Sequence, residues 1–357
     1  VSAVQEFDFS DPTDRRRAAR VMAAELQANL PPLDVYGWLA DRTGCGHIRI
    51  MTPLTELREH GLRTGWSERL DTNRLPRTLI GQRICLAGPT EMWQTLARRK
   101  HRPRLVFEID DNLWDIEHQS ERAHAFFGDP QVRANLDANI RVADAVTVTT
   151  EPLADLIRPL NANVHVLPNY LPRWLLDHQR PHRAGRVVIG WGGSSTHRMD
   201  WQECGQQVRR YLDRAPDWVE FHVMGADYSQ EFRLPRQRVR VTGWTESVPD
   251  YWRAIDYDIM LAPLRAHRFN ASKSPLRVVE AAFLGIPVVA SDYGPYAEFV
   301  QHGVTGFLVR SDHEWGKHLR ALVEDPDMRA EMGANARERA ADWTIEQHGD
   351  DWKKALT

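Results

Sequence analysis

Asn270 to Glu298 reads NASKSPLRVVEAAFLGIPVVASDYGPYAE, and the punctuation of this stretch decides the fold. A polar loop runs into Ser274-Pro275, where proline takes a first helical turn whose N–H would have no partner anyway. The helix that follows ends at Gly285-Ile286-Pro287, which turns the chain into Val288-Val289-Ala290. Such a short apolar run suits a strand buried on both faces of a parallel sheet. Loop, helix, turn and buried strand together make one unit of a doubly wound α/β fold.

Similar β-branched runs lie on either side, at 187–189, 219–224, 239–242, 257–262 and 307–309, separated by segments long enough for one helix or loop. The first half reads less cleanly, with strands expected at 35–39, 84–87, 105–109, 145–149 and 164–167 and helices at 48–60, 91–100 and 130–142. Pro168-Asn169-Tyr170-Leu171-Pro172 and the polar stretch 177–185 form the best linker. Two doubly wound halves joined this way face each other across a cleft between the carboxyl ends of their sheets, where ligands bind in open α/β folds.

Composition agrees and excludes. At about 150 residues per domain, 357 residues make two, and 42% hydrophobic with 27% charged residues is ordinary for a soluble protein. Lys and Arg number 46 against 49 Asp and Glu, a net charge of -3 that excludes a broad nucleic-acid surface. The longest uncharged apolar stretch, 281–291, falls short of the roughly 18 residues of a membrane span. Residues 1–30 mix Asp, Glu and Arg, unlike a signal peptide. Cys45, Cys85 and Cys204 form no CxxC pair, which fits a reducing, cytoplasmic setting and excludes a cysteine zinc site. Of the 13 tryptophans, Trp114, Trp191 and Trp244 are expected at strand ends facing the cleft, and Trp343 and Trp352 against the tail.

Several segments carry chemistry. Lys273 and the amides of the helix opened by Ser274-Pro275 would face an anion, and Glu280, less than two turns along, would accept from a vicinal diol such as a ribose. Gly190-Trp191-Gly192-Gly193-Ser194-Ser195-Thr196-His197-Arg198 reads as a glycine-rich turn whose amides nest a phosphate, though it is neither GxGxxG nor a P-loop. Asp110 and Asp111 end the strand at 105–109 and are open to two readings, site carboxylates pointing into the cleft or a cap by Asp111 on the next turn. A divalent-metal pair is the disfavoured third. Thr43-Gly44-Cys45-Gly46-His47-Ile48-Arg49 is a glycine turn before a helix, and its Cys45 reads as a small buried residue, not a nucleophile. Residues 14–30 begin with a basic amphipathic pattern, DRRRAARVMAA, a solvated surface helix or a peripheral membrane contact.

Glu280-Ala-Ala-Phe-Leu-Gly-Ile-Pro-Val-Val-Ala-Ser with the downstream Gly294-Pro-Tyr-Ala-Glu298 resembles the donor-binding helix of family 4 glycosyltransferases. Residues 143–150, 164–169, 302–309 and 332–339, with Trp343 and Trp352, are similar to the family's interlobe exit, post-donor segment and closing helices. The resemblance implies a GT-B fold: 1–172 completed by 341–357 as the acceptor-side domain, 173–340 as the donor domain, and the last helix crossing back. It implies transfer of a hexose-type sugar from a UDP- or GDP-sugar to a glycan, lipid or protein hydroxyl, with retention and no metal or other cofactor. The implied donor residues are Gly192, Gly193, Ser194, His197, Arg198, Thr242, Gly243, Trp244, Asn270, Lys273, Ser274, Leu276 and Glu280, with Gly44, Gly46 and Arg49 on the acceptor and phosphate loop. Asp110, Asp111, Lys273 and Glu280 are the implied catalytic set. One departure stands out: the family's first glutamate, eight residues before Glu280, is Ser272 here. The surrounding pattern, Asn270-x-x-Lys273-Ser274-Pro275-Leu276, resembles a subset in surface-polysaccharide and phage gene clusters. A sugar-nucleotide epimerase or a non-catalytic sugar binder on the same fold are the alternatives.

Overall fold

The computed structural model describes residues 32–72, 74–118 and 120–357; the basic stretch 14–30 lies outside them. Two six-stranded, wholly parallel sheets carry the chain. The first contains β1 (Val35–Trp38), β2 (Thr64–Ser67), β3 (Thr78–Gln82), β4 (Arg104–Glu108), β5 (Ala145–Val148) and β6 (Val164–Val166) in the order 2-1-3-4-5-6. The second contains β7 (Val187–Gly193), β8 (Val219–Gly225), β9 (Val239–Thr242), β10 (Ile259–Ala262), β11 (Val288–Ser291) and β12 (Gly306–Val309) in the order 12-11-10-7-8-9. The order in which strands are added reverses between β1 and β3 and again between β7 and β10, and these switch points face one cleft.

Helices cover both faces of each sheet: α1 (Thr52–Glu59), α2 (Ala87–Arg98), α3 (Pro130–Val142) and α4 (Glu151–Ile157) in the first half, then α5 (Gly205–Leu212), α6 (Val248–Ala254), α7 (Leu276–Phe283), α8 (Asp312–Glu324) and α9 (Pro326–Ala340). Buried aliphatics alternate to both sides of the strands, so each sheet sits between two apolar layers. The helix read from Ser274-Pro275 is α7, and it ends where Gly285 takes φ +63, letting Ile286 N–H donate to Ala281 O at 2.8 Å.

The last helix, α10 (Gly349–Leu356), returns to the first sheet. Thr78 Oγ1 donates to Leu356 O at 2.8 Å, and Trp352 is buried among Val35, Leu54 and Ile80. Leu171 and Thr344 form a bridge that ties this tail to the interlobe segment.

Three sequence expectations change. No strand forms at 84–87; the strand is β3, and Ile84-Cys85-Leu86 leads into α2. Gly81 and Gln82 obscure the pattern of β3, yet a Cβ on Gly81 would lie 2.4 Å from Ile84 Cδ1. Polar β2 pairs only with β1 at the sheet edge, which is why no apolar alternation marks it. Gly190 to Gly193 are not a turn: they extend β7, and the turn begins at Ser194.

Candidate active site

The cleft holds a cavity of about 290 Å³ walled by both halves. Its second-sheet wall begins with β7, where the glycines clear space for side chains. A Cβ on Gly190 would stand 1.9 Å from the Tyr257 ring, on Gly192 2.5 Å from Tyr251 Oη, and on Gly193 2.6 Å from Arg277 Nη2. Tyr257 and Tyr251 need that room to pack, and Arg277 needs it to reach the cavity. The Arg277 guanidinium lies over the Trp191 ring, 5.4 Å from its centroid, and its Nη1 is buried without a hydrogen-bond partner among the described residues. A buried donor left open on a cavity wall is costly unless an anion fills it.

Lys273 lies in the loop before α7 and Arg277 is the second residue of that helix, so both cations stand at its start. Lys273 also lines the cavity, its Nζ 4.7 Å from the Phe269 ring. The first amides of α7 have no intrahelical acceptor and add to this positive wall. Deeper along the same helix, Glu280 accepts from the Trp252 indole N–H at 2.7 Å. Burial pushes its pKa up to about 7, outweighing that hydrogen bond. Gly243, Trp244, Thr245 and Val248 complete this wall; Trp244 is 57% exposed.

The first-sheet wall brings Gly44, Cys45, Ile48, Asn169, Asp110 and Asp111. Asp110 and Asp111 follow β4 at the carboxyl edge of the sheet. Burial, then the charge of Asp110, lifts the Asp111 pKa to about 6. Asp110 is 7% exposed; its Oδ1 has no hydrogen-bond partner among the described residues, and Arg83 Nε approaches to 3.9 Å. Burial and Asp110 push the Cys45 thiol well above its usual range, which removes it as a nucleophile although it borders the cavity.

His197 borders the glycine wall with its Nδ1 2.7 Å from Asp200 Oδ2. The other oxygen of Asp200 accepts from the Asn270 amide at 2.8 Å and from Arg265 N–H at 3.0 Å. Arg265 then crosses the cleft: its guanidinium donates to Glu117 Oε1 at 2.5 Å, and His267 Nδ1 lies 3.6 Å from the same oxygen. Thr150 donates to Ser272 O at 2.8 Å, a second link between the halves.

Several expected residues stand elsewhere. Arg49 is buried as a strut: its Nε pairs with Glu108 at 2.7 Å, its Nη1 donates to Leu167 O and Asn169 Oδ1, and its guanidinium covers Trp352. Gly46 packs against Asp41 O, with no room for a Cβ. Arg198 pairs with Glu231 at 2.9 Å on the surface, because the turn 195–197 reverses the chain. Thr242 accepts or donates to His222 Nε2 at 2.8 Å, beneath Gly243, and Asn270 supports Asp200 without bordering the cavity. Ser272 is 2% exposed and donates to Phe269 O, facing away from the cavity. Trp191 is fully buried and Trp114 rests on the first-half core, its indole N–H on Asp137, so of the three cleft tryptophans only Trp244 borders the cavity. Arg277, Tyr251 and Tyr296 were not read from the sequence. Among the described residues no group of three metal-ligating side chains converges, and no helix is long and apolar enough to cross a membrane.

Known proteins resemble this chain in part of its sequence and in its fold. Residues 187–325 match the family model described as Glycosyl transferases group 1. The lipopolysaccharide core biosynthesis mannosyltransferase LpsB of Rhizobium meliloti is 32% identical over 152 residues, 39% of this chain and 40% of its own. A D-inositol 3-phosphate glycosyltransferase of Rhodococcus erythropolis is 32% identical over 107 residues, 29% of this chain and 23% of its own. The chain thus spans less than half the length of these curated relatives. The Anabaena Alr3699/HepE structure in complex with UDP-glucose superposes with a TM-score of 0.61 at 16% identity, covering 91% of this chain and all (100%) of that one. Sucrose-phosphate synthase from Thermosynechococcus elongatus gives 0.63 at 15% identity, covering 90% and 98%. The fold is GT-B.

Proposed function

We propose that this GT-B chain, whose residues 187–325 are of the group 1 glycosyl transferases, moves a hexose-type sugar from a nucleoside-diphosphate sugar to an acceptor hydroxyl, with retention and without a catalytic metal. One observation carries the reading: a guanidinium with a buried open donor, Arg277, and Lys273 in the loop just before its helix face a cavity that also holds a buried carboxylate, Glu280. Two cations and a helix start suit a diphosphate, and an acceptor-only carboxylate suits the ribose diol next to it. The base then stacks against Trp244 at the cavity mouth, near Gly243 and Thr245.

When the bond between sugar and diphosphate breaks, negative charge grows on the phosphate. Lys273, Arg277 and the first amides of α7 are already aimed there, so stabilising that charge needs little reorganisation. Asp110 and Asp111 approach from the opposite half, where they hold hydroxyls of the sugar or the acceptor; Ser272, turned away, leaves that task to them. The acceptor is a glycan, a lipid or a protein.

The test is a panel of UDP- and GDP-sugars scored for thermal stabilisation and nucleotide release, with and without EDTA. Stabilisation by one base class and release that survives EDTA are expected. Conversion of the donor to an isomer without release would make the protein an epimerase. Binding with neither product would make it a sugar-nucleotide binder.

A further inference from the structure

His197 is placed unlike a simple phosphate clamp. It closes the turn after β7 with its ring edge-on to Trp191, centroids 6.3 Å apart and planes at 79°. Its Nδ1 meets a carboxylate already engaged by Asn270 and Arg265 N–H. Burial, the largest single influence, works against the charge on Asp200, but the hydrogen bond from His197, the charge of Lys273 and the Arg265 N–H together hold the carboxyl below its usual range. An ionised carboxylate only accepts, so Nδ1 carries the proton and Nε2 keeps the lone pair of the neutral ring. The imidazole side chain is 13% exposed and His197 borders the cavity, so Nε2 is the ring nitrogen that Asp200 does not engage.

The charged groups around this ring are few. Asp200 holds it from behind; Lys273 and Arg277 approach from the loop before α7 and from α7 itself; Asp110 and Asp111 stand on the far wall. Burial, then the two cations, keeps the ring neutral in the empty site, with a pKa of about 3. A bound diphosphate would cancel the field of both cations and set negative oxygens beside Nε2, reversing the second and third causes.

We propose that His197, held by Asp200, is the base that receives the acceptor's proton by way of the leaving diphosphate; this rests on the donor-site reading above. The acceptor oxygen bonds to the anomeric carbon as the bond from that carbon to the β-phosphate oxygen breaks, leaving its electron pair on that oxygen. The acceptor's hydroxyl proton passes to this oxygen and on to Nε2, while Nδ1–H stays donated to Asp200. The imidazolium then faces a diphosphate carrying one more negative charge than it bore in the donor, and the proton goes to solvent when the nucleoside diphosphate departs. No protein nucleophile is involved.

Calorimetric titration of UDP and of GDP near neutral pH, in two buffers of different ionisation enthalpy, counts the protons taken up on binding. Glu280 and Asp111 titrate in the same range and border the same cavity, so the signal is the difference between wild type and His197→Asn. Wild type should take up about one proton more than the variant, and the variant's turnover should fall about 100-fold. Nitrogen-15 spectra of wild-type histidines provide a second readout that needs no variant: the His197 Nε2 resonance should move from the neutral to the imidazolium range as UDP or GDP fills the site. Equal proton counts, or an Nε2 that stays neutral with nucleotide bound, overturn the proposal. Absence of UDP and GDP binding to wild type would instead overturn the donor-site reading and this step with it.

Discussion

Glu280 lines the cavity at a cost to the fold. Its pKa stands near 7 when folded against 4.5 for the free side chain, so between these values the folded protein holds the extra proton. Stability therefore declines as pH rises through that window and stays reduced above it. Glu280→Gln keeps the acceptor for the Trp252 indole and removes the charge. It should raise the Tm at about pH 8, by up to roughly 3 kcal/mol of stability, and leave it unchanged near pH 4.5, as scanning calorimetry at the two pH values would measure. Arg277 and Lys273 carry the opposite balance. Lys273→Ala and Arg277→Ala should each lower nucleotide release about 100-fold with the far-UV circular dichroism unchanged; a wild-type rate in either would remove that residue from the donor site. Lys273 and Glu280 were legible because they flank an obvious helix start. Arg277 carries no such mark, since Lys273 lies in the loop before the helix and their spacing defines no shared helix face; the room left by Gly193 is what brings the guanidinium to the cavity. Arg198 looked like the partner cation only because a chain written in a line conceals the reversal at 195–197.

Among elements, β7 shows how a strand makes a site by lacking side chains. Glycine in a central strand ordinarily weakens it, yet Gly190, Gly192 and Gly193 each stand where a Cβ would strike Tyr257, Tyr251 or Arg277. Gly193→Ala should displace the Arg277 guanidinium, weakening UDP or GDP binding at least tenfold in a titration while costing roughly 1–3 kcal/mol of stability. Glycines in sequence suggested a turn because that is their commonest use, and only the facing aromatic rings reveal the other. The strand missed at β3 has the same origin: Gly81 leaves room for Ile84 and Trp93, so its pattern broke at a position chosen for its neighbours. The segment after β4, by contrast, was readable, because two consecutive aspartates at the end of an apolar run have few places to go except the carboxyl edge of the sheet.

At the scale of the molecule, the halves are joined by polar links and closed by the tail. Glu117 has only 8% of its side chain exposed and meets both Arg265 and His267 from across the cleft. Glu117→Gln should loosen this link and, through Arg265 and Asp200, the placement of His197. A larger radius of gyration by solution scattering and about a tenfold fall in turnover are expected, and no change in either would confine Glu117 to a local role. Trp352 fills the first-half core from the far end of the chain, so Trp352→Ala should cost about 3–5 kcal/mol and lower the urea midpoint, although the residue is remote from the cavity.

The sequence alone determined two doubly wound parallel halves, the helix opening at Ser274-Pro275 with Lys273 and Glu280 on the cleft side, and the return of the final helix. Each of these rests on local periodicity, on proline and glycine chemistry, or on a resemblance carried by contiguous residues. Tertiary structure decided the rest: which cation pairs with a surface carboxylate and which keeps a buried donor open, that Arg49 braces Glu108, and that Ser272 turns from the cavity. It also joined His197 to Glu117 through Asp200 and Arg265. Those outcomes depend on partners tens to hundreds of residues away, and the free energy of a buried charge is set by such partners and not by its neighbours in the chain.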